Sequence, residues 1–152
     1  MKKVLMFILF LFMPFVANAE EIKIDWIDSF GEAENDTFYR IVEIEDGFIT
    51  LGSTNNDPTE WANQDIWITR YDLTGEKIWS KQIDGNDWDG GCDLKLTSDS
   101  NLVLYFHTWS TDIEGLTNKG KNDFIIMKFD LDGNIIWKNS FGGNENGKID
   151  DF

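Results

Sequence analysis

Short apolar runs, each followed by a cluster of Gly, Asn, Asp or Ser, cover most of the chain after Phe38. The runs are rich in β-branched and aromatic residues, and none has a helical period of useful length, so the pattern predicts an all-β protein. The predicted strands fall into two sets of four: Phe38–Glu45, Phe48–Ser53, Asp65–Leu73 and Glu76–Ile83, then Cys92–Thr97, Leu102–Trp109, Asp123–Leu131 and Asn134–Phe141.

The last part of each set is a repeat. Asp65–Gly85 aligns with Asp123–Gly143 without a gap. The shared pairs are Asp65/Asp123, Ile68/Ile126, Asp72/Asp130, Leu73/Leu131, Gly75/Gly133, Ile78/Ile136, Trp79/Trp137 and Gly85/Gly143. Trp26 aligns with the two tryptophans, so the N-terminal part holds the end of a further unit. The tryptophan spacings of 53 and 58 residues lie just above the period of about 40–50 residues that is usual for propeller blades.

Within the repeat, apolar residues occupy consecutive positions at Ile66–Ile68 and Phe124–Met127. Strands of this kind are expected to be covered on both faces. Trp79 and Trp137 recur at the same position of the fourth strand, which predicts an aromatic wedge between neighbouring sheets. An aromatic platform for a sugar is the alternative interpretation of these tryptophans.

The repeated segments Asp72–Gly75 and Asp130–Gly133 are typical of tight hairpin turns, in which Asp accepts backbone hydrogen bonds and Gly takes a positive φ. A calcium site at Asp130 is the alternative, but Thr74 stands where the second unit has Asp132. The tail Asn144–Asp151 resembles half of a calcium-binding loop that lacks its first and last acidic ligands. We therefore predict no metal site and no cofactor.

The first nineteen residues have the features of a secretory signal peptide. Lys2 and Lys3 precede an apolar run at Val4–Val16, and Ala17–Ala19 provides a small-residue cleavage pattern before Glu20. The run is shorter than the ~20 residues that span a bilayer. We therefore expect an exported protein, periplasmic, cell-surface or extracellular, that has no membrane association after cleavage and whose residues 20–152 form a single repeat region.

The expected mature chain is strongly acidic. Without residues 1–19 it carries 11 basic and 28 acidic side chains, a net charge of −17. Such a surface repels phosphate backbones and anionic lipid, which argues against a nucleic-acid or membrane partner. The acidic residues are scattered, which favours a role in solubility over binding of a divalent cation or a basic partner.

Cys92 is the only cysteine and His107 the only histidine. A single cysteine forms no intramolecular disulfide, and a buried structural thiol is the expectation for Cys92. His107 falls inside a predicted strand, where a pairing with Cys92 would arise from the fold without implying catalysis.

The repeat, Asp-aromatic/Ile-x-Ile-x-Lys/Arg-aromatic-Asp-Leu-x-Gly followed by Trp and then Phe-Gly-Gly, resembles the repeats of bacterial exported β-propeller proteins of the SBBP or delta-60 type. Thr74–Trp79 is also similar to the tryptophan-docking motif of quinoprotein-like propellers, although that motif has one more residue between its Asp and its Thr. The resemblance implies an incomplete β-propeller of about two and a half four-stranded blades. A closed propeller needs about four to eight blades. Three alternatives therefore stay open: the chain is a fragment of a longer propeller, its two units pack as a small open β assembly, or copies associate through uncovered sheet faces to close a ring.

The function that follows is a non-catalytic exported repeat protein, a binding or scaffold module for a protein or glycan partner. Trp61 and Trp109 are the predicted binding residues, because they lie in or beside the loops Thr54–Gln64 and Ser110–Asn122, which differ between the units. The alternative is a glycan-acting hydrolase that uses two loop carboxylates. Its candidate residues are Asp57, Glu60, Asp87, Asp89, Asp112 and Glu114. Binding of a quinone-type cofactor is a third possibility, but no spacing assigns any residue a catalytic role.

Overall fold

The computed structural model describes Ile27 and residues 36–55 and 64–143, apart from the side chains of Gly91 and Cys92. The expected signal peptide, the N-terminal partial repeat, Trp61 and the Asn/Asp-rich tail lie outside the described residues. Eight strands are present in the described part: β1 (Thr37–Ile44), β2 (Gly47–Asn55), β3 (Gln64–Asp72), β4 (Lys77–Ile83), β5 (Asp89–Leu96), β6 (Leu102–Thr108), β7 (Asp123–Phe129) and β8 (Ile135–Phe141). No helix among the described residues is long and apolar enough to cross a membrane.

The strands form two antiparallel sheets in which sequence neighbours pair. The first sheet has the order β1-β2-β3-β4 and the second has the order β5-β6-β7-β8. The predicted all-β class and both sets of four strands are confirmed. The largest difference in bounds is at β5, which begins at Asp89 rather than Cys92 because Asp89 and Gly90 already pair with β6.

The two repeated turns have the predicted chemistry. The carboxylate of Asp72 accepts hydrogen bonds from the backbone N–H groups of Thr74 and Glu76, at 2.8 and 2.9 Å. Asp130 accepts the equivalent bonds from Asp132 and Asn134, at 3.0 and 2.8 Å. Gly75 and Gly133 take φ values of +84° and +77°, which few side chains tolerate. The carboxylate of Asp130 is therefore engaged in hydrogen bonds within its own turn, which it stabilises.

The core lies between the two sheets. It contains Ile44, Ile49, Leu51, Ile66, Ile68, Leu94, Leu102, Leu104, Phe106, Ile113, Ile125, Met127 and Phe129, all buried. In β3 of the first sheet, Ile66 and Ile68 point to the second sheet. In β7 of the second sheet, the residues in the core are instead Ile125, Met127 and Phe129. The first sheet therefore uses one face of its third strand for the contact, and the second sheet uses the opposite face of its third strand.

One prediction was wrong for the second sheet. Phe124–Met127 was expected to be covered on both faces, but β7 alternates strictly between buried and half-buried residues. The physical reason is that the described part of the chain contains only two sheets. Within that part, no third sheet lies against the apolar residues on one side of β7.

The two repeated tryptophans differ in exposure and in contacts for the same reason. Trp79 is half-buried and packs on the core, and its Nε1 donates a 3.0 Å hydrogen bond to the carbonyl oxygen of Leu131 in the second sheet. The predicted wedge is confirmed for this residue. Trp137 remains 42% exposed, because no sheet of the described part lies beyond it.

Candidate binding groove beside Trp109

A groove of about 420 Å³ opens where β6 runs into the loop before β7. It is lined by Asp87, Trp109, Thr111, Gly120 and Lys121. These residues come from two connections, the segment 84–88 between the sheets and the loop 109–122. The groove therefore lies in the part of the second unit that does not repeat.

Trp109 presents half of its surface to solvent. Its ring lies edge-to-face against Trp88, with the centroids 6.2 Å apart and the planes at 62°. Its backbone N–H donates to the carbonyl oxygen of Trp88 at 2.9 Å, and the Trp88 indole N–H donates to Gln64 Oε1 at 2.9 Å. The backbone hydrogen bond and the contact with Trp88 place the Trp109 ring at the groove with half of its surface exposed.

Asn86 and Thr111 hold the two connections together. Asn86 Oδ1 accepts a 2.8 Å hydrogen bond from the Thr111 backbone N–H, and Asn86 Nδ2 donates to Thr111 Oγ1 at 3.1 Å. The Asn86 backbone N–H donates to the Asp112 carboxylate at 2.9 Å. Sequence reasoning missed Asn86 and Trp88. The only feature of the sequence that pointed to these two residues is that they flank the candidate acid Asp87.

Ser110 connects the loop 109–122 to the segment 84–88 and to the start of β5 by hydrogen bonds. It is 1% exposed, and its hydroxyl lies 3.0 Å from the Asp87 carbonyl oxygen and 3.0 Å from Asp89 Oδ2. The same hydroxyl accepts the Asp87 backbone N–H at 3.0 Å. These contacts fix the segment that carries Asp87 and Trp88, so the groove is built on a rigid base.

Asp89 accepts the hydrogen bond from Ser110 and is completely buried. Burial raises its pKa to about 7, although hydrogen bonds from Thr108 and Ser110 favour the charged form. A carboxyl group with such a pKa has the proton affinity of a general acid. However, a sugar cannot reach a group with no exposed surface, so Asp89 does not act on a substrate in this structure.

The remaining candidate acids have different surroundings. Asp57 and Glu60 lie outside the described residues. Asp112 accepts the backbone hydrogen bond from Asn86, and Glu114 lies farther along the same loop with an exposed side chain. Only Asp87 lines the groove.

The single histidine and the single cysteine both lie in strands of the second sheet. His107 is half-buried in β6, with its ring centroid 4.1 Å from that of Phe124. Cys92 lies in β5, and the expectation of a buried thiol there stays a prediction. Within the described ranges, no three histidine, cysteine or acidic side chains are grouped closely enough to hold a metal ion.

Comparison with known proteins gives no assignment. The chain matches no model of a protein family, and no curated protein sequence has significant similarity to it.

Proposed function

We propose that this protein is an exported, non-catalytic binding module of the β-propeller type, and that the groove beside Trp109 binds a glycan. The observation that carries the proposal is the exposed Trp109 ring, held by Trp88 and surrounded by polar groups. A flat aromatic surface stacks on the apolar face of a sugar ring, while nearby side chains bond the hydroxyl groups. Asp87, Thr111 and Lys121 supply acceptors and donors of this kind around the groove.

The propeller architecture is supported by the way the sheets pack. Two four-stranded meanders lie face to face, and a tryptophan of one contacts a turn of the next. Repetition of one packing arrangement along the chain is the basis of propellers and other repeat folds. Export is supported by the sequence of residues 1–19. It is tested by N-terminal sequencing of the secreted protein, which we expect to begin at Glu20.

The binding proposal is tested by screening a glycan array with purified protein and then measuring the best ligand by calorimetry. We expect Trp109→Ala to weaken binding by at least about tenfold, equivalent to about 1.4 kcal/mol. Trp137→Ala is the matched control, since Trp137 is similarly exposed but lies on another surface. Binding that survives Trp109→Ala, or that depends equally on both tryptophans, would contradict the proposed site.

The hydrolase alternative is tested with the same ligands. Incubation followed by product analysis should give no cleavage beyond the spontaneous rate. Turnover that disappears in Asp87→Asn would replace the binding module with an enzyme, because Asp87 is the acid that lines the groove.

A further inference from the structure

The hydroxyl group of Ser110 has one hydrogen atom but lies within hydrogen-bond distance of three groups. It accepts the backbone N–H of Asp87 at 3.0 Å. The carbonyl oxygen of Asp87 and Asp89 Oδ2 each lie 3.0 Å away, and both are acceptors when Asp89 is ionised. A hydroxyl group donates a single hydrogen bond, so Ser110 cannot serve both of these acceptors at once.

Protonation of Asp89 removes this competition. A hydrogen atom on Oδ2 lets the carboxyl group donate to Ser110 Oγ, which can accept from this group and from the Asp87 N–H together. The hydrogen of Ser110 then goes to the carbonyl oxygen of Asp87. All three contacts at Ser110 are hydrogen bonds in this state, whereas the ionised state leaves one acceptor without the Ser110 donor.

The second oxygen of Asp89 also favours the neutral form. Oδ1 is buried and has no hydrogen-bond partner, and the residue as a whole has no exposed surface. An unpaired neutral oxygen costs less free energy to bury than an unpaired carboxylate oxygen, because the charged form loses a stronger hydration. No lysine, arginine or histidine of the described part forms an ion pair with Asp89.

The charged groups that face Asp89 from other elements are acidic. Burial is the main cause that raises the pKa of Asp89 to about 7, and repulsion from Asp65 of β3 and Asp112 of the loop 109–122 adds to it. Asp84, in the segment 84–88, repels Asp65 in turn. The neighbouring groups therefore oppose ionisation of Asp89 as the hydrogen bonds at Ser110 do.

Two further titratable groups lie close in the sequence but have other contacts. The carboxylate of Asp87 accepts the backbone N–H of Trp88 at 2.8 Å and lines the groove. His107 of β6 precedes Thr108, the ladder partner of Asp89, so its side chain points to the opposite face of the sheet. Because histidine ordinarily titrates near neutral pH, His107 provides a control for Asp89.

The contacts of Ser110 connect Asp89 to the groove. Asp87 lines the groove, and the next residue, Trp88, contacts the Trp109 ring edge-to-face. The carbonyl oxygen of Trp88 also accepts the backbone N–H of Trp109 at 2.9 Å. The carbonyl group of Asp87 is therefore joined by one peptide bond to the residue that holds the aromatic surface.

We propose that protonation of Asp89 switches the groove beside Trp109 from a weakly binding state to a binding state. This inference rests on the proposed function, because it concerns the regulation of the same site. With Asp89 protonated, Ser110 holds the segment 84–88 by its full set of hydrogen bonds. When Asp89 gives its proton to water, Ser110 donates to the carboxylate and releases the carbonyl oxygen of Asp87. The ligand is then held at mildly acidic pH and released as the pH rises through about 7.

The first test needs no ligand. Hydrogen exchange of the Asp87 backbone N–H, measured by NMR on the full chain and corrected for the intrinsic rate, reports the contact with Ser110. We expect its protection to fall at least about tenfold between about pH 5 and about pH 8. In Asp89→Asn the amide group donates to Ser110 as the protonated carboxyl group does, so the protection should not change with pH.

The N–H of Leu51 in the core is the reference for complete unfolding. Protection of Asp87 equal to that of Leu51 at every pH would contradict the switch, because exchange would then require the whole fold to open. Ser110→Ala is a second variant that leaves Asp89 in place. It should give a low protection of Asp87 at both pH values, and a wild-type pH dependence in this variant would also contradict the switch.

The second test measures the affinity of the best glycan from the array by calorimetry at about pH 5 and about pH 8. We expect the wild-type protein to bind at least about fivefold more weakly at the higher pH, because a smaller fraction is in the binding state. Asp89→Asn should bind equally at both values, with the affinity of the wild-type protein at acidic pH. His107→Gln should keep the wild-type dependence.

Failure of the switch and failure of the proposed function give different results. A protein that binds no glycan at either pH would contradict the proposed function, while the exchange of Asp87 would still decide whether Asp89 controls this segment. Equal binding at both pH values would overturn the switch alone. A pH dependence that is kept in Asp89→Asn and lost in His107→Gln would assign it to the histidine. Circular dichroism at both pH values checks that each variant folds.

Discussion

Trp79 Nε1 and Arg70 Nη1 both donate to the carbonyl oxygen of Leu131, each at 3.0 Å, across the gap between the two sheets. The ammonium group of Lys81 also bonds the carbonyl oxygen of Gly133 in the same turn. One turn of the second sheet is thus held by three side chains of the first. The orientation of the sheets depends on these contacts as well as on the apolar core.

Trp79→Ala and Trp137→Ala test this difference between equivalent positions. We expect Trp79→Ala to lower the free energy of unfolding by about 2–4 kcal/mol, since it removes a packed ring and a hydrogen bond between the sheets. Trp137→Ala should change the stability of the monomer by about 0.5 kcal/mol or less, because no sheet of the described part packs against its ring. Urea unfolding at high dilution measures both. Equal losses would show that the two tryptophans have equivalent surroundings.

Arg70 is the most buried of the cations in the contact, with its side chain 9% exposed. Arg70→Lys is expected to keep the ion pair with Asp46, as Lys128 pairs with Asp99, but to lose the bond to Leu131. We expect it to cost about 1 kcal/mol, and Arg70→Met to cost about 2–3 kcal/mol because both interactions are lost. The two denaturation midpoints measure the difference. Identical values for lysine and methionine would show that the charge contributes nothing.

The stability of the fold should depend on pH through Asp89. Because its pKa is raised to about 7 in the folded protein and is near 3.8 without burial, the protonated form stabilises the fold. The free energy of unfolding is then highest below about pH 4 as far as Asp89 is concerned, and falls by up to about 4 kcal/mol as the pH rises through 7. Burial also raises the pKa of Asp65, which adds an effect of the same sign.

Unfolding at about pH 5 and about pH 8 measures the larger part of this loss, about 3 kcal/mol, and Asp89→Asn is the matched variant. The amide keeps the shape of the carboxyl group without the charge, so the variant should lose most of the dependence between these two values. Hydrogen bonds lower the pKa of Asp72 and Asp130, whose contributions are lost only at more acidic pH. A wild-type stability that rises between pH 5 and pH 8 would contradict the assignment.

Gly85 permits the close approach of the groove base to the first sheet. A Cβ atom there would lie 2.1 Å from Ser110 Oγ and 2.6 Å from Asp89 Oδ2. Both neighbours are buried, so we expect Gly85→Ala to cost about 1–3 kcal/mol, the usual range for overpacking. Ser110→Gly combined with Gly85→Ala should cost less than the sum of the two single changes. Additive losses in thermal unfolding would show that the clash is not the cause.

The strands and turns could be predicted from the sequence because their signals are local. Asp72 and Gly75 specify the hairpin turn within four residues, and the second unit has the same two residues at Asp130 and Gly133. What the sequence could not show is which apolar side chains meet a second sheet. Phe124 and Ile125 look alike in the pattern, yet only Ile125 lies in the core. That difference depends on the number of sheets and their order, which no single strand encodes.

The groove was predicted less completely. Trp109 was identified because it falls outside the repeat, and the structure places it on an exposed rim. Trp88 and Asn86 were missed, because their roles depend on contacts with residues more than twenty positions away along the chain. Asp89 was assigned to a loop as a potential catalytic acid, whereas it is a completely buried residue at the start of β5.

The opposite-face packing of the two sheets has a consequence for how such a chain can lengthen by gene duplication. The face of the second unit that points away from the first is equivalent, by the repeat, to the face that the first unit packs against the second. A duplicated segment of about 58 residues, the offset between Asp65 and Asp123, would meet a compatible neighbour on both sides without any new contact having to evolve. Selection on the number of units can therefore proceed separately from selection on the groove, since Trp109 and its neighbours lie in the connections and not in the packed faces.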